Sequence, residues 1–401
     1  MINNLMKLNV LLVTNLFPTP IDPERGVFTL QLVRRLNDIC NVTVVCPLPY
    51  FPDLSFLKLF KKYQQYSQVP SEYNIDGIKI YSPKYPMIPK LSESRHAFFM
   101  SIALNKCIKK LHKKLAFDVV NSQWIYPDSC AVGTAIKELN IAHIATGLGC
   151  DINHDMHDTG KKDVIENTLN AVDAITVVSN SLKDELIEAS FPEEKITVIP
   201  NGVDISKFNP LPKIECRNRL KLDLNVPVIL YVGRLSTEKN IKSLIKTSSA
   251  LVKKGYKFKL YIVGDGSLLA ELKLLAKESG ISECVFFMGN IDHNEIKKWM
   301  GACDYFCLPS LREGCPNVVL EALSCGRPVI ASKVGAIPDI TNKKTSVLFT
   351  PDDIESMTIA FEKAFTTDWD EKIISNSVAA LSWENAAKKY LDVFSAALKH
   401  L

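Results

Sequence analysis

The sequence predicts an α/β fold made of two Rossmann-like domains that face each other across a cleft. The length of 401 residues suits two domains of ordinary size rather than one core. Short runs rich in Val and Ile alternate with helical patterns in both halves of the chain. Near 200–215 the stretch PNGVDISKFNPLPKIE has three prolines and little periodicity, which is typical of a linker.

The first half is predicted to form a parallel sheet covered on both faces, because its strand-like runs are almost continuously apolar. We predict strands at 8–15, 41–48, 78–83, 117–123, 142–148, 174–179 and 196–202. Helical patterns such as FTLQLVRRLNDIC and SCAVGTAIKELN separate several of them.

The second half repeats this alternation. We predict strands at 227–233, 259–266, 284–290, 304–310, 327–332 and 346–351, with helices in NIKSLIKTSSALVKKG, SLLAELKLLAKESG and HNEIKKWMGA. We therefore expect an N-terminal domain over 1–203 and a C-terminal domain over 204–381. A final amphipathic helix, 382–401, is expected to pack back on the first domain.

Composition excludes several classes of protein. The chain is 47% hydrophobic and 23% charged, as in an average globular protein. Its 11 cysteines include no CxxC pair, so buried reduced thiols are favoured over disulfides or a zinc site. A net charge of +4 gives no general attraction to nucleic acid. No run approaches the ~18 apolar residues of a membrane span, so we expect a cytoplasmic protein, at most peripheral at the inner face of the plasma membrane.

The segment 58–114 is strongly basic, with twelve Lys or Arg against three carboxylates. FLKLFKKYQQY and ALNKCIKKLHKKL mix lysine with apolar residues at helical spacing. Solvated helix faces are one interpretation. Adhesion to an anionic membrane or to an anionic lipid-linked substrate is the other.

Two strand ends carry features of a nucleotide site. In YVGRLSTEKN, Gly233 ends a strand, and Arg234 and Lys239 precede a helix. This arrangement suits a phosphate or diphosphate, although an ordinary turn with surface cations has the same pattern. GDG, with Gly264 and Asp265, ends the next strand, where either a tight turn or a contact with base or ribose is possible.

The stretch LREGCPNVVLEALSCG places two carboxylates eight positions apart. Glu313 lies in a loop before a helix that begins near Pro316, and Glu321 lies within that helix among apolar residues. A buried carboxylate needs hydrogen-bond donors, and two vicinal ribose hydroxyls would supply them. The alternative is a glutamate on the exposed side of a half-buried helix.

A metal-binding DxD motif is not expected near these strand ends. The one such triplet, Asp368-Trp369-Asp370, lies late in the chain and is interpreted as a surface turn. We therefore expect no required metal and no cofactor beyond the co-substrate.

Taken in order, GR-x4-K, GDG, E-G-x-P-x4-E and GRPVIAS-x-VGAIPDI resemble the family 4 retaining glycosyltransferases of the GT-B fold over nearly the full chain. The resemblance implies that Glu321 holds a ribose and Glu313 contacts the donor sugar. It also implies that Arg234 and Lys239 neutralise the leaving diphosphate. The implied donor-binding set is Gly26, Asn201, Gly233, Arg234, Lys239, Gly264, Asp265, Glu313, Gly314, Cys315, Pro316, Asn317, Val318 and Glu321. Arg234, Lys239 and Glu313 are implied to be catalytic.

In the N-terminal half the resemblance extends to the loop around Gly26 and to ATGLGCDIN, which retains Gly149 and Asp151 of the family's His-Gly-x-Asp at the cleft. Two positions depart from it. Leu148 stands in the place of the histidine, and Gln123 stands where relatives often have another histidine.

The resemblance implies transfer of a hexosyl or N-acetylhexosaminyl group with retention from a UDP- or GDP-sugar, UDP being favoured. The acceptor would be a growing cell-surface polysaccharide or a polyprenyl-diphosphate-linked saccharide. The nearest-looking members build bacterial exopolysaccharide, capsule or teichuronic acid. Because of Leu148 and Gln123, a catalytically impaired sugar-nucleotide-binding protein stays an alternative, as does a GT-B sugar-nucleotide epimerase.

Overall fold

The computed structural model describes residues 7–50, 65–87 and 95–399. Within them the chain divides into two compact units, 1–200 with 383–401, and 201–382. The division falls within the proline-containing segment, three residues before the boundary expected from the sequence. The C-terminal helix belongs to the first unit.

The first unit contains an eight-stranded sheet in the order β10-β9-β8-β7-β1-β2-β5-β4, parallel except for the β4–β5 pair. A small parallel ribbon pairs β3 with β6. The strands are β1 Asn9–Val13, β2 Asn41–Val45, β3 Leu48–Tyr50, β4 Glu72–Ile75, β5 Ile78–Tyr81, β6 Lys84–Pro86, β7 Val119–Gln123, β8 Ala142–Gly147, β9 Ala174–Val177 and β10 Ile196–Val198.

Helices complete this unit. They are α1 Val27–Ile39, α2 His96–Leu115, α3 Cys130–Ile136, α4 Cys150–Asn153, α5 Lys162–Ala171 and α6 Asn180–Glu188, with the C-terminal helix Trp383–Ala397. The C-terminal helix packs on α1, and its buried Tyr390 and Phe394 join the core cluster formed by β1, β2 and α1. An ion pair between Arg35 and Glu384 links the same two helices at 2.9 Å.

The second unit contains a six-stranded parallel sheet in the order β13-β12-β11-β14-β15-β16. Its strands are β11 Val228–Val232, β12 Lys259–Val263, β13 Val285–Gly289, β14 Tyr305–Leu308, β15 Val329–Ser332 and β16 Ser346–Phe349. Its helices are α7 Lys213–Leu220, α8 Ile241–Lys253, α9 Leu269–Glu278, α10 His293–Ala302, α11 Asn317–Ser324, α12 Ile337–Ile340, α13 Ile354–Thr366 and α14 Glu371–Asn376. The C-terminal helix Trp383–Ala397, which belongs to the first unit, is called α15.

Every predicted strand run contains a strand, and both large sheets are of the predicted parallel kind. The predicted pair of Rossmann-like domains is therefore confirmed. The antiparallel strand β4 and the ribbon of β3 and β6 were not predicted from the sequence. These strands are three or four residues long and include Pro49 and Pro86, so they lack the apolar run that marks the other strands.

Eight of the eleven cysteines are buried. The Asp368-Trp369-Asp370 triplet lies between α13 and α14. Asp370 caps α14 by accepting hydrogen bonds from the amides of Lys372 and Ile373 at 2.8 and 3.0 Å.

Candidate functional site

The second unit gathers its predicted site residues at the carboxyl ends of β11, β12 and β14. In the sheet, β11 lies between β12 and β14, so the strand order reverses at β11. Gly233 follows β11, Gly264 follows β12, and the loop of Ser310 to Glu313 follows β14. Open parallel sheets bind ligands outside such a reversal point.

The loops after β11 and β12 pack backbone against backbone, which explains their glycines. A Cβ on Gly264 would lie 2.0 Å from the Gly233 carbonyl oxygen, and one on Gly266 would lie 2.3 Å from the Leu235 carbonyl oxygen. The Leu235 amide donates to the Asp265 carbonyl at 2.9 Å. The Asp265 side chain is exposed and accepts from the Gly266 amide at 2.7 Å. GDG therefore builds a tight turn that brings two backbone segments together.

Glu313 is the centre of a polar cluster in the loop after β14. Its Oε1 accepts hydrogen bonds from Lys239 Nζ and from Ser310 Oγ, both at 2.6 Å. The Glu313 side chain is 9% exposed and the Lys239 side chain 20% exposed, so little solvent screens the pair. Both hydrogen bonds fall on one oxygen of the carboxylate. The ammonium of Lys239 has two further N–H donors, so it can bind a phosphate while it holds Glu313.

Backbone contacts hold this loop in place. The Leu311 amide donates to the Glu238 carbonyl at 2.8 Å, and Ser332 Oγ donates to the Ser310 carbonyl at 2.5 Å. Gly335 has φ +53°, and a Cβ there would lie 2.2 Å from the Glu313 carbonyl oxygen. Ser310, Ser332 and Gly335 were not named by the sequence analysis. Their position could have indicated them, because each follows or ends a strand on the same edge of the sheet.

Helix α11 begins directly after this loop, with Pro316 as its N-cap residue. Helix geometry leaves the amides of Asn317 and Val318 without intrahelical acceptors, at the positive end of the helix. Asn201 Nδ2 donates to the Cys315 carbonyl at 3.1 Å and to Asn317 Oδ1 at 2.9 Å. Asn201 thus fixes the backbone that presents these amides.

Cys315 itself is buried, and burial raises the pKa of its thiol to about 12. The thiol is therefore protonated at neutral pH and does not present a thiolate to a ligand. The position contributes its backbone, whose carbonyl accepts the hydrogen bond from Asn201 Nδ2.

Glu321 lies on α11 and is 7% exposed. Its Oε1 lies 3.0 Å from Nε2 of His293, while Oε2 is buried and has no hydrogen-bond partner among the described residues. Lys207 Nζ lies 2.7 Å from Nδ1 of His293. Because an ammonium group can only donate, Nδ1 accepts and the imidazole proton lies on Nε2, directed at Glu321. Burial lowers the pKa of Lys207, and the Glu321 carboxylate opposes that shift.

His293 therefore belongs to the candidate site, although it was not predicted from the sequence. It begins α10, immediately after the loop that follows β13. A histidine at a strand-to-helix turn on the same sheet edge was the available signal. The unpartnered Oε2 of Glu321 is a stronger indication of a ligand site than the His293 contact, because an unsatisfied buried carboxylate oxygen is costly unless a ligand supplies a donor.

Arg234 is exposed, and the Tyr231 hydroxyl donates to its carbonyl at 2.9 Å. The pKa of Glu238 lies below its ordinary value, first because its own backbone amide and the Ser236 hydroxyl donate to it. The cations Arg234 and Arg312 add to that shift. Arg312, also exposed, is a further cation beside the loop of Glu313 that the sequence analysis did not name.

In the first unit, Gly26 has φ +61° and is the N-cap residue of α1. A Cβ at Gly26 would lie 2.0 Å from the Leu16 carbonyl oxygen, so the loop after β1 and the start of α1 are in close contact. The same loop is held by buried Asp128, whose Oδ1 accepts from the Asn15 amide at 2.5 Å and whose Oδ2 accepts from Asn15 Nδ2 at 2.8 Å.

Asp151 is fully buried and binds backbone rather than facing solvent. It accepts hydrogen bonds from the amides of Ile125 at 2.9 Å, Gly149 at 2.7 Å and Leu148 at 3.1 Å. Burial raises its pKa to about 6, and these amides oppose the shift. Gly149 has φ +143° at this turn. The two residues therefore shape the end of β8, where Leu148 is partly exposed.

Gln123 is 2% exposed, and its Nε2 donates to Asn121 Oδ1 at 2.8 Å. It also hydrogen-bonds Tyr390 of α15, a residue that is 4% exposed. Gln123 thus belongs to a buried polar network that joins β7 to the C-terminal helix. It does not present a reactive group to solvent.

Among the described residues, no group of three or more His, Cys, Asp or Glu side chains is arranged to hold a metal ion. No helix in those ranges is both long enough and apolar enough to cross a membrane.

Two family models together match most of the chain. Glycosyltransferase Family 4 matches residues 26–207, in the first unit and the start of the second. Glycosyl transferases group 1 matches residues 212–379, which include Lys239, Glu313 and Glu321.

Similar proteins include TuaC of Bacillus subtilis, assigned to teichuronic acid biosynthesis as a glycosyltransferase, which is 27% identical over 89% of both chains. The amylovoran biosynthesis glycosyltransferase AmsK of Erwinia amylovora is 32% identical over 44% of this chain and 43% of its own. The second match therefore spans less than half the length of that relative.

Solved structures share the fold across both units. The sucrose-phosphate synthase of Thermosynechococcus elongatus has a TM-score of 0.77 at 19% identity and covers 98% of this chain and 100% of its own. The Anabaena protein Alr3699/HepE in complex with UDP has a TM-score of 0.72 at 19% identity, covering 97% and 100%. With both family models, these matches show that the chain is a glycosyltransferase of family 4 with the GT-B fold.

Proposed function

We propose that this glycosyltransferase moves a hexosyl or N-acetylhexosaminyl group, with retention, from a nucleotide diphosphate sugar to a growing cell-surface polysaccharide or lipid-linked saccharide. The observation that carries the proposal is the cluster of Lys239, Glu313 and Ser310 at the strand-order reversal of the second unit. It combines a cation, a carboxylate whose hydrogen bonds within the described residues fall on one oxygen, and a nearby helix N-terminus, which are groups suited to a sugar diphosphate.

The nucleoside half of the donor is assigned to Glu321. Its Oε2 is buried and lacks a donor, and its Oε1 is oriented by His293. A ribose hydroxyl at Oε2 would satisfy that oxygen, so donor binding removes an unfavourable feature of the unliganded site. Small movements of α11 or of its neighbours must open access to this oxygen.

The diphosphate is assigned to Arg234, Lys239 and the amides of Asn317 and Val318. As the bond between the anomeric carbon and the phosphate oxygen breaks, negative charge grows on the leaving diphosphate. Cations and helix-end amides already aimed at that charge lower the barrier. These groups supply the stabilisation that a divalent metal would otherwise provide. We therefore propose that transfer requires no metal, so that activity survives treatment with EDTA.

Glu313 is proposed to bind a hydroxyl of the transferred sugar rather than to attack its anomeric carbon. Its Oε1 is engaged by Lys239 and Ser310, an arrangement that stabilises the carboxylate and lowers its nucleophilicity. In the proposed step the acceptor oxygen bonds to the anomeric carbon on the face that the diphosphate leaves. The acceptor proton passes to the departing phosphate oxygen, which balances the reaction.

UDP is the proposed nucleotide, supported by the solved Anabaena relative that holds UDP. The acceptor class is supported by TuaC and AmsK, whose names refer to teichuronic acid and amylovoran biosynthesis. A lipid-linked acceptor would place the protein at the inner face of the plasma membrane. The Lys-rich segment 58–114 suits that place, although its FLKLFKKYQQY portion lies mostly outside the described residues.

The test is a thermal-shift panel of UDP-, GDP-, ADP- and dTDP-sugars, followed by NMR of the transfer product. A bound donor stabilises the fold by RT ln(1 + [L]/Kd), so at equal concentrations the donor that binds most tightly gives the largest rise in melting temperature. We expect a UDP-sugar to give the largest shift and the product to keep the anomeric configuration of the donor. An inverted product would overturn the mechanism, and donor turnover without an acceptor into an epimer would indicate the epimerase instead.

A further inference from the structure

Helix α2, His96–Leu115, has an outward face that the described residues of its own unit leave uncovered. Its inward residues Met100, Leu104 and Ile108 are fully buried. On the opposite face Phe98 is 60% exposed and Ile102 is 59% exposed. They are four positions apart, so they lie side by side on the helix surface.

The same face becomes basic toward its C-terminal end. Lys106, Lys110 and Lys113 are exposed and continue the line of Phe98 and Ile102 at helical spacing. The helix contains no Asp or Glu. In the described parts of the chain, the lysine of this helix that has an ion pair is Lys109, which contacts Glu138 at 2.5 Å.

We infer that the outward face of α2 docks on an anionic lipid bilayer, with Phe98 and Ile102 entering the headgroup region and Lys106, Lys110 and Lys113 contacting lipid phosphates. Charge complementarity selects this occupant. A protein partner that buried the two apolar residues would have to neutralise a run of lysines with no carboxylate between them. A bilayer has an apolar interior next to negatively charged headgroups. This matches a helix face that is apolar at one end and basic at the other.

This inference deepens the proposed function, because a membrane surface is where a polyprenyl-linked acceptor is found. It makes a separate claim, since vesicle binding needs neither donor nor acceptor. The two can therefore fail independently.

The experiment is vesicle co-sedimentation of the full chain with phosphatidylcholine alone and with phosphatidylcholine and phosphatidylglycerol in equal parts. We expect binding to the anionic vesicles that weakens as salt increases. The double variant Phe98→Ser/Ile102→Ser should lower the partition coefficient about tenfold or more. The charge reversal Lys106→Glu/Lys110→Glu should lower it at least about fivefold per lysine.

Matched controls come from other exposed positions. Ile214 and Leu274 are 65% and 54% exposed on helices of the second unit, so Ile214→Ser/Leu274→Ser removes similar apolar area elsewhere. Lys388→Glu/Lys389→Glu makes the same change of net charge on exposed positions of α15. Both controls should bind vesicles as the parent does, and thermal melting should show that every variant folds.

Equal vesicle binding by the α2 variants and their controls would overturn the inference. So would light scattering that shows a dimer lost in Phe98→Ser/Ile102→Ser, since a second copy would then cover the face. If the parent transfers sugar to a soluble acceptor but does not bind the anionic vesicles, the inference is overturned and the proposed function stays intact. Vesicle binding without donor turnover would support the inference and contradict the proposed function.

Discussion

The two units use charged side chains in opposite ways. In the second unit, Lys239 and Glu313 sit at the sheet edge with donor and acceptor capacity left over. In the first unit, the buried carboxylates Asp128 and Asp151 are engaged by backbone amides of neighbouring loops. The difference shows that the second unit holds groups ready for a charged ligand. The first unit uses these carboxylates to fix loop shape and places a run of exposed lysines on the outward face of α2.

The largest expected effect comes from Lys239→Ala. Loss of one preorganised cation at a developing charge costs about 10²–10³-fold in kcat. The substitution also leaves Glu313 largely buried without its cation, so thermal stability should fall as well. Steady-state kinetics with a UDP-sugar measure the first effect, and a thermal melt measures the second.

Lys239→Arg serves as a control, because it keeps the charge and should recover part of kcat. An unchanged kcat in folded Lys239→Ala would contradict the role of this unit in charge stabilisation. If the parent is active, and both Lys239→Ala and Glu313→Ala abolish that activity, the protein cannot be a catalytically impaired sugar-nucleotide-binding protein.

Gly264→Ala tests whether the close contact of two loops shapes the donor site. The new Cβ would meet the Gly233 carbonyl oxygen at 2.0 Å, so the loops must separate. Gly255→Ala is the matched control, since Gly255 also has a positive φ but no atom within 4 Å of its Cβ position. The control should lose about 1 kcal/mol of stability from backbone strain.

Gly264→Ala should lose about 1–3 kcal/mol more than Gly255→Ala. It should also weaken donor binding, whereas the control should not. Denaturant unfolding and titration calorimetry with UDP measure both effects. Equal losses in the two variants would show that the contact at Gly264 has no special role.

Glu321→Gln tests the ribose assignment with a smaller expected effect. The amide can still accept one hydrogen bond, but it loses the charge that strengthens bonds to hydroxyl donors. The dissociation constant for UDP should rise about tenfold, and that for inorganic diphosphate should stay the same.

His293→Ala should weaken UDP binding less than Glu321→Gln does, because it removes only the group that orients Oε1. His293→Gln should restore part of the affinity by supplying an N–H donor. A dissociation constant unchanged in all three variants would contradict the assignment.

The smallest expected effect concerns a buried histidine of the first unit. Burial lowers the pKa of His143 from 6.5 to about 4, and its Nε2 lies 2.8 Å from Ser122 Oγ. Below pH 6.5 the unfolded chain therefore binds a proton that the folded chain does not. The free energy of unfolding falls by about 0.7 kcal/mol from this group between pH 7 and pH 6.

His143→Gln should remove that part of the pH dependence, while the effects of other groups stay in both proteins. Denaturant unfolding at pH 7 and pH 6 measures it. An identical pH dependence in parent and variant would show that His143 titrates normally in the folded state.

The strands could be predicted because parallel buried strands are continuous in Val and Ile. The glycines at the sheet edge could be located for the same reason, since they end those runs. The pairing of Lys239 with Glu313 could not be predicted. The two residues are 74 positions apart and come together only because β11 and β14 are neighbours in the sheet.

The partner of Glu321 was also beyond sequence reasoning. The need for donors was evident from its apolar neighbours, but His293 reaches it from another helix. In the first unit, the sequence located Asp151 at the end of β8 without showing which way its carboxylate turns. That direction depends on the amides of two loops, which no local pattern encodes.

Hydrogen–deuterium exchange of the full chain with and without UDP tests the central claim most directly. We expect the strongest protection in 311–321, with further protection in 233–240 and 264–266, all in the second unit. Protection confined to the first unit, around 125–128 and 148–151, would contradict it.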